Sequence, residues 1–586
     1  MAIGAAIALS CIGRLEAATF GTPHPTISGS VLSAAGKPVV GASVDLLPLE
    51  TRLERSRRIL RGESTRRSLA HTNTAANGGY LLQVAEVGAY ELAVRRDGYV
   101  PMMLALRTLV EDVEAPDLIL ASDHGLEVRV ALASGERVAG ATVVALSASS
   151  RIWGGESLLP RLEWKSAGEP LRWQPAPRVA FSAGDGRTRL ARAAGERLDL
   201  YAFSPGALRA ERRGVSSDRV ALEIVQGVPR PITVRSRSGA PLAGAVILDQ
   251  EIDAPLAATD DAGAATIGGL ATGVRRVEVI GPGWRSQTVT LRENQPAAAT
   301  VVQLEEGRVL TGRVLEAVTR NPLAGALVSP LACGCVEAVA APTVKTDERG
   351  TYRLSVDGPT GLIAAAPGHL AVILPEAFPE EGATVLLKPA VTVGGQAVDQ
   401  QGHPVPGALI TIDQEERVRA RTGIDGRFEL RGLPLGAQGM LRAEHVDYAS
   451  ADLALPPLVT GRSADVRVVL RRGALIVLAL VDAQGQPIVG AQGELEREAD
   501  RGAADWTIKP RLLSATSDRE GKLVWRHSAA GRYFLTVRAE DRIPMRLPGV
   551  AVSEKAESGN GVVDLGTVRM VPGITVEGVV VDPGGS

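Results

Sequence analysis

One short motif recurs six times along the chain: "GKPVVGASVDL" (from Gly36), "GERVAGATVVAL" (Gly135), "GAPLAGAVIL" (Gly239), "RNPLAGALV" (Arg320), "GHPVPGALITI" (Gly402) and "GQPIVGAQGEL" (Gly485). A fixed-period repeat constrains the fold more than any single residue can. The glycine of the Gly-Ala step falls at 41, 140, 244, 325, 407 and 490, at intervals of 99, 104, 81, 82 and 83 residues. Each interval is long enough for a unit with its own core, unlike solenoid repeats, which lean on their neighbours.

The sequence around each motif reads as strand and turn. A β-branched run precedes it, as in "TISGSVL" (Thr26), "LEVRVAL" (Leu126), "VLTGRVL" (Val309) and "ALIVLALV" (Ala474), and period-two alternation marks these runs as strands. Gly and Pro then turn the chain, because Pro presets φ and Gly permits positive φ. A second signature follows: "NGGYLLQV" (Asn77), "GDGRTRL" (Gly184), "TDDAGAATI" (Thr259), "TDERGTYRL" (Thr346), "GIDGRFEL" (Gly423) and "SDREGKLVW" (Ser517). An Asp or Asn leading to Gly before an alternating strand signals a hairpin. With no sustained helical periodicity, the expected fold is all-β: a tandem, elongated array of about six small Greek-key β-sandwiches.

The expected boundaries are 25–123, 124–226, 227–306, 307–389, 390–472 and 473–571. They follow a probable signal or N-terminal segment at 1–24 and precede the start of a truncated seventh repeat at 572–586. In the N-terminal segment Ile3 to Ile12 make an apolar run of signal-peptide length. Export to the periplasm, cell surface or medium is therefore expected, although no basic stretch precedes the run. No later segment has the ~18 apolar residues that a spanning helix needs.

The motifs resemble the carboxypeptidase regulatory-like domain, whose pattern combines G-x-P-x-x-G-A with T-D-x-x-G-x-[YF] and A-x-x-x-G-[YH]. "NPLAGALV" with "TDERGTYRLSV", and "HPVPGALI" with "GIDGRFELRGLPLG", match best. The resemblance implies a transthyretin-like sandwich of carbohydrate-binding-like type. It implies no activity, since the shared residues punctuate structure. Repeat three, "AGAATIGGL", lacks the aromatic after the turn, which implies an altered core.

Chemistry is sparse. A net charge of −2 offers no general attraction for nucleic acid, and no cofactor motif is present. His124 and Glu127 have the spacing of part of a zinc site, but the next histidine is His369 in another repeat, so neither metal nor catalytic residues are expected. Cys333 and Cys335, as a lone C-x-C, read as structural or incidental. Asp260, Asp261, Asp347, Asp425 and Asp518 read as turn residues rather than calcium ligands.

Individuality lies in the inserts: the Arg-rich Glu50–His71, expected to be solvated, the Trp-bearing Ser149–Arg178, and Glu496–Arg511. Trp153, Trp164 and Trp173 are the candidate binding residues, as sugar-stacking platforms or as a local packing cluster. The expected role is a non-enzymatic exported scaffold or adhesion protein whose partners are polysaccharide or other surface proteins. The alternatives are a carbohydrate-binding protein and the accessory region of a larger hydrolase or outer-membrane receptor.

Overall fold

The computed structural model describes all residues except 1–23, 148–172, 205–208, 226, 228, 269–273, 293–299, 332–341, 357–360, 375–382, 413–417, 438, 456–457, 459–463, 499–511, 559–560 and 574–586. The chain forms the expected all-β tandem array, with the repeats following one another as sandwich units. Unit five shows the plan. Its opening strand, Ala390–Val398, lies between the antiparallel Arg427–Pro434 and the parallel Ala464–Val469. A four-stranded sheet packs against this one, in the order Arg419–Arg421, Leu409–Ile412, Met440–His445, Tyr448–Ala454. The same three-plus-four arrangement is built on the opening strands Leu126–Leu132, Arg230–Ser236, Arg308–Glu316 and Ala474–Val481. Unit one, opening at Thr26–Ser33, differs in pairing that strand with two short parallel strands, Val113–Glu114 and Leu118–Leu120.

The Gly-Ala step works through a partner that its own motif does not contain. In unit five the Thr422 hydroxyl accepts the Ala408 N–H at 2.8 Å and donates to the Val405 carbonyl at 2.6 Å. Thr74, Ser182, Thr259, Thr346 and Ser517 make the same two bonds in the other units. The glycine before each alanine has φ between 68° and 80°, which brings the alanine N–H round to face the hydroxyl. The glycine of the hairpin signature is needed for a second reason. At Gly426 a Cβ would lie 2.4 Å from the Ala397 carbonyl of the opening strand, and the other five units are as tight. The turn Asp or Asn side chains accept backbone N–H groups, as Asp347 does from Arg349 and Thr351.

The missing aromatic of repeat three has a compensating partner. Tyr80, Tyr352 and Phe428 pair across the sheet with Gly29, Gly312 and Gly395, so a large residue fills the space above a residue with no side chain. In unit three the pair is Ala265 with Ile232, and the bulk has moved to the other strand. Paired volume is kept, which is what a packed core tolerates best.

Several strands are buried on both faces, and this determines how the units pack. Every residue of Val246–Asp249, Leu198–Phe203 and Gly361–Ala365 is buried. Tyr201, Phe203 and Val144 on the outer face of unit two pack on Ile252 and Ala254 of unit three. Val246, Leu248 and Ile280 of unit three pack on Leu53 of unit one. The outer face of unit four, with Leu327, Ile363 and Ala365 buried, lies beside the unit-one strand Met102–Leu109. In contrast, Leu409–Ile412 of unit five and Gln492–Arg497 of unit six alternate and bury one face.

Replacing Thr422 with Val keeps the shape of the side chain but orphans a buried N–H and a carbonyl. Each orphaned group is expected to cost about 1–3 kcal/mol. Hydrogen exchange across unit five should register the loss, while Thr422→Ser, which retains the hydroxyl, should lose much less.

Candidate functional site: the charged seams around unit one

Two polar seams radiate from the first sandwich. The first is made by the Arg-rich insert, which is not the solvated segment its composition predicts. It forms the helix Arg52–Leu60. Thr51 caps it, accepting the Glu54 N–H at 3.2 Å, while the Glu54 carboxylate accepts the Thr51 N–H at 2.8 Å. That reciprocal pair is a capping box, and "TRLE" is the signal that reveals it in the sequence.

The helix turns its arginines towards unit three. Arg52 donates to Asp253 at 2.6 Å and to Glu278 at 2.8 Å. Arg55 also reaches Asp253, and Arg57 donates to the Gly244 carbonyl. Asp253 presents its carboxylate from a left-handed backbone, φ 51°, which Asp tolerates better than most residues. Burial opposes the charge on Arg52, but the hydrogen bond to Glu278 and the field of Asp253 outweigh it and raise its pKa.

The second seam joins unit one to units four and five. Glu114, its side chain 2% exposed, accepts from Arg421 of unit five at 2.6 Å and from its own neighbour Ser28. Arg421 also bonds Asp117 at 2.6 Å and Ser30 at 3.2 Å. Arg431 of unit five donates to Asp112 at 2.9 Å, and Asp112 is fixed by the Thr26 N–H and hydroxyl. Glu111 accepts the Gly368 N–H of unit four at 2.6 Å. Burial raises the pKa of Glu114 despite the opposing charge of Arg421, and burial likewise raises that of Glu111 despite the Gly368 N–H. Between the three units lies a cleft of about 550 Å³, lined by Ser28, Glu111, Glu114, His369, Arg421 and Arg431 among others.

Other joints use the same chemistry. Asp452 accepts from Arg442 of its own unit at 2.7 Å and from Arg497 of unit six at 3.3 Å. At the junction of units one and two, Asp123 accepts from Arg189, the Gly125 N–H and the Arg192 N–H. Burial resists ionisation of Asp123, but these donors outweigh it and hold its pKa low.

Of the candidate binding residues, Trp173 is described, and it packs on the core of unit one. Its indole N–H donates to the Pro116 carbonyl at 2.7 Å. The next two residues, Gln174–Pro175, add a fifth strand to unit one's sheet beside Met102–Met103. Trp153, Trp164, Cys333, Cys335 and the N-terminal run lie outside the described residues. His124 donates its backbone N–H to the Arg192 carbonyl, and the Glu127 carboxylate faces Arg187 at 3.0 Å. No helix among the described residues is long and apolar enough to cross a membrane.

Removing Arg421 leaves Glu114 buried without its cation. Arg421→Ala is expected to weaken the seam by about 3–5 kcal/mol. Adding Glu114→Gln should recover part of that loss, and a double-mutant cycle on the first urea transition of the full chain reads both effects.

No family model and no curated protein matches the chain. Solved structures overlap it at low identity. A Streptococcal ancillary pilin aligns at 12% identity over 46% of this chain and 99% of its own, with a TM-score of 0.19. The Bacillus anthracis TIE protein aligns at 13% over 73% of this chain and 68% of its own, with a TM-score of 0.14. BcpA, the major pilin subunit of Bacillus cereus, aligns at 13% over 46% of this chain and all of its own, with a TM-score of 0.13. Alignments with such scores carry no argument about function.

Proposed function

We propose that the chain is a non-enzymatic exported scaffold of the cell-surface or adhesion type, built from carboxypeptidase regulatory-like sandwiches held in fixed relation to one another. The observation that carries this reading is the pair of seams on unit one. Arg52 and Arg55 tie it to unit three, and Arg421 and Arg431 tie unit five to it. Partly buried charge pairs specify orientation more than they add stability, because desolvation offsets much of their attraction. A protein whose task is to hold surfaces at set positions needs that property. Strung sandwiches joined only by loops would reorient freely.

Two measurements test the reading together. Antibody labelling of intact cells should reach the protein, and small-angle scattering in mild acid should fit one fixed arrangement of units. Asp253→Asn combined with Arg421→Ala should broaden the distance distribution. A protein confined to the cytoplasm, or a wild-type profile already that of freely jointed beads, overturns it.

A further inference from the structure

We propose that the seam between unit one and units four and five is a proton-dependent clasp: it closes more fully in mild acid than at neutral pH, because closing it takes two glutamates out of water and supplies a cation to only one of them. The inference concerns the joint itself and stands whether or not the chain is a surface scaffold.

The two glutamates have different surroundings. Glu114 meets Arg421, with Asp117, Ser28 and the Tyr80 ring close by. Its charge is compensated, at the cost of burying both partners. Glu111 is half-buried, and the partner it bonds is the neutral Gly368 N–H. Arg431, the cation nearest to hand, is already bonded to Asp112 at 2.9 Å and to Glu429 at 2.7 Å. His369 of unit four stands across from Glu111, with its Nδ1 engaged by the Pro367 carbonyl at 2.8 Å. The remaining charged groups lining the cleft are Arg419, Arg427, Glu429 and Asp465, all from unit five, and His24 borders Glu111 on the other side.

The sign follows from linkage. Burial raises the pKa of both glutamates in the closed seam relative to carboxylates in water. A carboxylate with a higher pKa in the closed arrangement takes up protons on closing, so closure is favoured as pH falls through the raised value. Well above that value both carboxylates are ionised in either arrangement, and closing carries the full desolvation cost. The closed population is therefore expected to rise as pH falls.

The test uses the full chain with its three native cysteines, Cys11, Cys333 and Cys335, replaced by Ser. Labels for single-molecule energy transfer are placed at Val40→Cys and Leu435→Cys, both at exposed positions, one in unit one and one in unit five. The closed fraction should rise several-fold as the pH is lowered from about 8 towards the ordinary carboxylate range. Glu111→Gln keeps the shape and the acceptor but carries no charge. It should hold the acid-like closed fraction at the higher pH and flatten the profile. Arg421→Ala should lower the closed fraction at both values. A closed fraction that is constant or falls on acidification sinks the proposal, as does a Glu111→Gln chain that is more open than the parent at about pH 8.

Discussion

A single hydroxyl in each sandwich holds together what the repeated motif begins. Thr74, Ser182, Thr259, Thr346, Thr422 and Ser517 each bridge a backbone carbonyl and the N–H of the Gly-Ala step, across separations of 14 to 41 residues for the accepted bond. Without it, two buried backbone groups at the start of the second strand would have no partner. The left-handed glycine, the alanine and the hydroxyl form one device, and the facing sheets follow from where it sends the chain. Ser serves as well as Thr because the bond needs an oxygen and not a methyl group.

Charge plays a different part. Within a unit the core is apolar and close-packed. Between units the joints include guanidinium–carboxylate pairs, whose mutual attraction is offset in large part by desolvation. Apolar outer faces supply the area. Leu53 on Val246 and Leu248, and Tyr201 on Ile252, cover surfaces that would otherwise be exposed. The arginines then fix how those faces register.

Much of the sandwich was legible because local rules determine it. Alternation in "VTVGGQAV" and the Asp-Gly turn in "GIDGRFEL" mark strands and a hairpin through backbone preferences that hold wherever the segment lies. The joints were far less legible. Arg52 and Arg421 carry the same charge whether solvated or paired, and their partners lie 201 and 307 residues away. Two signals were available all the same. "TRLE" at Thr51 encodes a capping box, and the unbroken apolar runs "VIL" at Val246 and "GLIAA" at Gly361 mark strands covered on both faces. The doubly covered strands occur in units two, three and four, where another unit lies on the outer sheet. Trp173 illustrates the opposite difficulty, since a tryptophan beside arginines has the same composition whether its ring faces solvent or, as here, packs on a neighbouring core.

The order of the seams along the chain bears on how the molecule is assembled. Unit one is made before unit five, and Glu114 has to wait 307 residues for Arg421. At roughly 5–20 residues per second of synthesis, that is a delay of some 15–60 seconds. During it, the carboxylate face of the first sandwich stands open while its own core can already close. That face is thus uncovered long after its own sandwich can close. Whatever attends the growing chain has longest access to the surfaces around which the finished molecule is organised.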